Sequence, residues 1–150
     1  MPNANSLPDL GSLFHRVSRA VRKQTSLALH PHGVTPHQAR ALMLLARAGQ
    51  DPAGTGGLRN SQLAERLRIA ARSATEVVDQ LQEKQLVQRT ADPSDRRAWI
   101  ITLSDRGREL AALIRTDRQL QMSDFFARLD AADQQTLHRI LSSLIVEDED

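Results

Sequence analysis

The chain has 150 residues, 40% hydrophobic and 25% charged, a balance that suits one globular domain able to bury a core without staples. It has no cysteine, which excludes disulfides, thiolate metal sites and thiol redox switches. Its formal charge is only +2, but the last four residues, Glu147 to Asp150, are all acidic, so the remainder is more basic than the total suggests.

Residues 10–29 read as an amphipathic helix, with Leu10, Leu13, Phe14, Val17, Val21 and Leu27 at helical spacing. Pro31, Gly33 and Pro36 interrupt the chain. Thr35 is a good N-cap with Pro36 behind it, and a second helix follows, apolar at Ala41, Leu42, Leu44, Leu45 and Ala48 and ending near Gly49. Asp51 to Gly57 is a Pro/Gly loop. Leu58 and Arg59 form a very short strand, and Asn60 or Ser61 caps a short third helix carrying Leu63, Ala64 and Leu67. After a tight turn at Arg68 to Ala70, a fourth helix starts near Ala71 and buries Ala74, Val77, Val78 and Leu81. Leu86 to Thr90 and Arg97 to Leu103 read as strands, the second rich in Trp99, Ile100, Ile101 and Thr102. Between them Asp92-Pro93-Ser94-Asp95 is a type I turn signal, so 86–103 is a β-hairpin. Ser104 then caps a long helix with the stripe Leu110, Leu113, Ile114, Leu120, Phe125 and Phe126. Asp130 starts a last helix with Leu137, Ile140, Leu141, Leu144 and Ile145.

Two short helices joined by a tight turn and followed at once by a hairpin make a winged helix-turn-helix arrangement, whose second helix can enter a DNA major groove about 12 Å wide. The expected fold is therefore mainly α with a small β-hairpin wing. All the basic residues except Lys23 and Lys84 are arginine, which suits bidentate contacts to guanine or phosphate and which a GC-rich genome would also favour.

Asp92-Pro-Ser-Asp-Arg-Arg-Ala98, followed by Ile-Ile-Thr-Leu-Ser-Asp-Arg-Gly107, resembles the wing signature of the MarR family of bacterial transcriptional regulators. Ser61-Gln-Leu-Ala-Glu-Arg-Leu67 and Val78-Asp-Gln-Leu-Gln-Glu-Lys-Gln-Leu-Val87 are similar to that family's third and fourth helices, and the likeness extends over nearly the whole chain. The resemblance implies dimerisation helices at 1–34 and 104–150 around a DNA-binding domain at 35–103. It implies a homodimeric regulator, a repressor, that reads a pseudo-palindromic operator on double-stranded DNA and releases it on binding a small aromatic acid or phenol. The apolar stripes of the terminal helices fit a shared partner better than an intramolecular bundle. Ser94, Gln85, Glu76 and the long 51–57 loop depart from the usual family pattern, which bears on the DNA sequence read rather than on the fold.

The expected DNA-facing residues are Ser61 and Gln62 at the start of the third helix, then Arg72, Ser73, Thr75, Glu76 and Gln80 on the recognition helix. Arg72 suits guanine O6 and N7; Glu76 either accepts from cytosine N4 or repels phosphate. Ser61 reads more as a cap than as a base reader. The wing supplies Asp95, Arg96 and Arg97. By resemblance, Asp95 pairs with Arg97 and leaves Arg96 to meet a narrow minor groove, and strand alternation turns the two arginines to opposite faces. Effector candidates are His15, Arg19, His37, Arg40 and Met43, an arginine holding a carboxylate.

No catalytic pairing, P-loop or H-E-x-x-H motif is present, so neither an enzyme nor a cofactor is expected. The five histidines, His15, His30, His32, His37 and His138, make no metal pair at helical spacing. Met1 to Gly11 lacks the pattern of a secretion signal, and no apolar run approaches the roughly 18 residues that span a bilayer, so a cytoplasmic protein is expected. A winged module that binds proteins rather than DNA is the competing reading, supported by Glu76 and the low net charge.

Overall fold

Helical periodicity between Leu10 and Leu29 is realised as one helix, α1 (Leu10–Leu29), capped by Asp9, whose carboxylate accepts the Gly11 N–H at 3.1 Å. The computed structural model describes residues 9–145, and within them the side chain of Arg96 is left out; the acidic tail at 147–150 lies outside the described residues. A short 3-10 turn at His30–His32, not anticipated from the sequence, follows α1 and ends at Gly33, whose φ of 64° is cheap only for glycine. His32 reaches back to Asp117 at 2.7 Å and ties this turn to a later helix.

Thr35 opens α2 (Pro36–Gln50) with a full capping box: its hydroxyl accepts the Gln38 N–H and the Gln38 side chain accepts the Thr35 N–H. The chain then runs through β1 (Leu58–Arg59), α3 (Asn60–Leu67), α4 (Ala71–Glu83), β2 (Val87–Asp92), β3 (Asp95–Leu103), α5 (Asp105–Phe126) and α6 (Ala131–Leu144). This is the expected element order. Both hairpin strands run further than expected, closing at a two-residue turn, Pro93–Ser94.

The sheet is antiparallel with β3 in the middle, in the order β1-β3-β2. Leu58 and Arg89 both face Ile101, while Arg59 and Thr90 both face Ile100. Beyond Ala91–Trp99 the pairing jumps to Asp92–Asp95, so Arg96, Arg97 and Ala98 sit in a break of the ladder. The expectation that strand alternation turns Arg96 and Arg97 to opposite faces therefore loses its basis, because alternation needs an unbroken pleat.

The core lies between α2, α3, α4, the sheet and the first half of α5. Leu42, Leu45, Leu63, Leu67, Val78, Leu81, Ile101 and Ile114 are fully buried there, each worth about 1.5–3 kcal/mol of transfer free energy. Val77, expected inside, is half-buried. Ser104 caps α5, accepting the Gly107 N–H at 3.0 Å and donating to the Gln85 carbonyl at 2.7 Å. A Cβ on Gly107 would collide with the Leu86 carbonyl, so only glycine permits this approach of α5 to the end of the helix-turn-helix.

The outer helices are different. None of the residues of α6 is buried, and α6 packs closely against none of the other described elements. Leu10, Phe14, Leu27, Leu120, Leu144 and Ile145 are each at least 60% exposed.

Candidate nucleic-acid interface

The geometry begins at the turn between α3 and α4. Arg68 ends α3 in the left-handed region at φ 56°, and α4 starts three residues later behind Ala70, which offers no side-chain cap. The first-turn amides of α4 thus keep no side-chain partner, and the turn carries no acidic residue. Ala74, Val78 and Leu81 pull one stripe of α4 into the core, which turns Arg72, Ser73 and Glu76 outward. The Arg72 side chain is 92% exposed and lies 3.5 Å from the Glu76 carboxylate, one helical turn on.

Other expected contacts are already committed. The Thr75 hydroxyl donates to the Ala71 carbonyl at 3.1 Å and accepts from Asn60 Nδ2 at 3.0 Å, locking α3 to α4. Gln80 is exposed on α4 but already paired, its Oε1 accepting from the buried Gln38 at 2.7 Å. Gln62 accepts the Arg59 N–H at 2.9 Å, and Ser61 is exposed in the first turn of α3. Neither Asn60 nor Ser61 caps α3, contrary to expectation. The N-cap position is Arg59, and Asn60 spends its amide on α4.

The wing is held by a pair that sequence reasoning missed. Asp92, 3% exposed, receives Arg59 Nε at 2.8 Å and Arg59 Nη2 at 2.5 Å on one oxygen. Its other oxygen receives the Ser94 N–H at 2.8 Å and the Ser94 hydroxyl at 2.7 Å. Hydrogen bonds from Ser94, then Arg59, hold this carboxyl down to about 2. The expected Asp95–Arg97 side-chain pair is replaced by a backbone contact: Asp95 Oδ1 accepts the Arg97 N–H at 3.0 Å. Arg97 is exposed; of Arg96 only the backbone position on β3 is described. On the other side of the wing, Arg89 binds Asp79 at 2.5 Å and Gln82 at 2.7 Å on α4. A groove of about 450 Å³ opens between wing and helices, with Arg59, Ser61, Thr75, Arg89 and Trp99 along it, and Trp99 is 59% exposed. The Asp92-x-Ser94 spacing, a side-chain-to-backbone turn signature, was the available signal that Asp92 and not Asp95 is the structural carboxylate.

The effector candidates do not converge. His15, Arg19, His37 and Arg40 are exposed, and Arg40 donates to the Arg66 carbonyl at the end of α3. Met43 lines a cavity of about 260 Å³ between α2 and α5, with Ala46, Gln50, Arg108, Ala111 and Arg115. Among the described residues no group of His, Asp and Glu is placed to hold a metal, and no helix is long and apolar enough to cross a membrane.

The MarR family model matches residues 34–99, which cover α2, the helix-turn-helix and most of the wing. The chain is 32% identical over 137 residues to the HTH-type transcriptional repressor Rv2887 of Mycobacterium tuberculosis, covering 90% of this chain and 92% of that protein. The solved structure of that M. tuberculosis protein, a MarR family member, superposes with a TM-score of 0.70 at 30% identity over 96% of this chain and 98% of the other. The chain belongs to the MarR family. MepR, a transcription regulator of the Staphylococcus aureus multidrug efflux pump MepA, shares the fold, with a TM-score of 0.79 at 21% identity over 91% of this chain and 98% of that one. MarR proteins are transcription regulators rather than enzymes. In this MarR-family chain the family's winged helix is kept, with its wing tip anchored through Arg59 and Asp92.

Proposed function

We propose that this chain is a sequence-specific DNA-binding transcriptional regulator, a repressor, that acts as a homodimer on a pseudo-palindromic operator. The observation that carries it is the outward face of α4, where Arg72 and Ser73 stand at an uncapped helix start beside a wing joined to the start of α3 through Arg59–Asp92 and to α4 through Arg89–Asp79. Arg72 reads guanine, and Ser73 and the first-turn amides meet phosphate. Arg96 and Arg97 reach the flanking minor groove. Residues 35–103 are the reading unit, and 1–34 with 104–150 are the dimer helices. The unpartnered α6 and the exposed apolar residues of α1 support a second copy as their cover.

The effector is a small aromatic acid or phenol. Structures of the M. tuberculosis relative are complexes with salicylic acid and p-aminosalicylic acid. Here the α2–α5 cavity is lined by Met43, Ala46 and Ala111 together with Arg115, a set that suits a ring bearing a carboxylate, while the Arg108 guanidinium on its rim is paired with the Leu103 carbonyl and Asp105. Binding there acts by shifting the dimer between two separations of its recognition helices.

Fluorescence anisotropy with the protein's own upstream intergenic DNA tests the reading. Wild type binds with a steep salt dependence, and Arg72→Ala loses about 1–3 kcal/mol on that DNA but little on a scrambled duplex. Absence of any salt-sensitive binding would favour a protein-interaction module instead. Sedimentation at micromolar concentration returns a dimer; a monomer contradicts the role of the terminal helices.

A further inference from the structure

We infer that Arg59 is a positioning residue that fixes the angle of the wing against the two DNA-facing helices. This deepens the DNA-binding reading and rests on it for its consequence, though the joint itself exists without DNA.

Arg59 stands at the N-cap of α3, where Ser, Thr, Asp or Asn would donate an acceptor to the first amides. Its own side chain makes no cap and goes elsewhere. Since β3 lies between β1 and β2, that side chain must cross the central strand, above Ile100, to reach the far end of β2. There it holds Asp92 through two nitrogens and approaches Ser94 Oγ at 3.4 Å. Ala91, Pro93, Ser94 and Asp95 are all exposed, and Asp92 alone among them is buried. The ladder breaks between Ala91 and Asp92, so backbone pairing does not hold the tip rigid. A two-stranded ribbon is marginal by itself. The fork from Arg59 takes the place of the missing ladder, and it starts from the first residue before α3, so wing tip and helix-turn-helix move as one body.

Trp99, the only tryptophan, sits on the wing and reports its motion with or without DNA. The experiment compares wild type, Arg59→Leu, Arg59→Lys, Asp92→Asn and the double variant by time-resolved anisotropy and acrylamide quenching of Trp99. It then compares their binding to the upstream intergenic duplex across salt concentrations. Arg59→Leu and Asp92→Asn each loosen Trp99 and weaken binding roughly tenfold with a shallower salt slope. The double variant is no worse than the weaker single, as for two halves of one contact. Arg59→Lys falls short of wild type, because an ammonium supplies a point charge and not a fork. A folded Arg59→Leu with Trp99 unchanged overturns the proposal. So does full rescue of binding by Arg59→Lys, which would make Arg59 a phosphate contact. Should Arg59→Leu not fold, the isosteric Asp92→Asn carries the same readout. A wild type that binds no DNA, with Trp99 still freed by the variants, removes the DNA reading and leaves the joint standing.

Discussion

Gln38 Nε2 donates to Gln80 Oε1 at 2.7 Å, so a buried amide at the start of α2 grips the recognition helix by a side chain. Gln38 Oε1 in turn accepts from the Thr35 N–H and from Lys84 Nζ at 2.9 Å, and Lys84 also donates to the Gly33 carbonyl at 2.6 Å. Gln80→Ala strands a buried N–H donor and is expected to lower stability by about 1–3 kcal/mol in urea unfolding. Gln80→Glu keeps the acceptor and loses less. Equal stability of Gln80→Ala and wild type would mean that the amide finds another partner.

Arg72 and Glu76 share one exposed turn, and the carboxylate draws the guanidinium along the helix. An exposed pair of this kind adds little stability. Its effect is on binding. Glu76→Gln frees Arg72 and removes a charge that faces phosphate, so affinity for unrelated duplex rises and the salt slope steepens by about one counterion. Unfolding midpoints stay within about 0.5 kcal/mol of wild type. A drop in affinity for the cognate DNA alone would instead identify Glu76 as a cytosine reader.

Gln85 follows α4 with φ at 59°, a left-handed conformation that strains any residue with a Cβ. Gln85→Gly relieves that strain. The gain is expected to be about 1 kcal/mol, or roughly 2–4 °C in Tm for a chain this size. Differential scanning calorimetry reads it directly; a lower Tm would show that the Gln85 side chain supplies more than its backbone costs.

The Asp92 carboxyl is held down to about 2, from an ordinary value of 3.8, by Ser94 and Arg59. A depressed carboxyl contributes stability that is fully present above the unfolded value and is lost as pH falls through the folded one. The wing joint is therefore constant from pH 8 to 5 and weakens only between about pH 4 and 2. Acrylamide quenching of Trp99 should stay flat down to pH 5 in wild type. Asp92→Asn should show the loosened value at every pH. Quenching that changes between pH 7 and 5 would point to a different titrating group.

The helices were legible because their signals are local. Thr35, Ser104 and Asp130 each accept an amide three residues ahead, and such caps need no knowledge of the fold. The sheet contacts were not. Arg59 and Asp92 lie 33 positions apart, and their meeting depends on β3 entering between β1 and β2, which no periodicity encodes. Asp92 and Asp95 look alike in sequence; the turn sends the first inward and the second to solvent. Thr75 and Gln80 sit on the outward side of α4, yet both side chains are bonded to other helices. Helical position predicts exposure but not whether a side chain has a partner.

The contact between Gly107 and Leu86 has a mechanical consequence. Ser104 bonds Gln85 and Leu86 there, and the absent side chain at Gly107 lets α5 rest directly on the carbonyl where the recognition helix ends and the hairpin begins. Three segments meet there, with backbone against backbone at the closest approach. A displacement of α5 would therefore bear on the end of α4 and the start of the hairpin at one backbone contact.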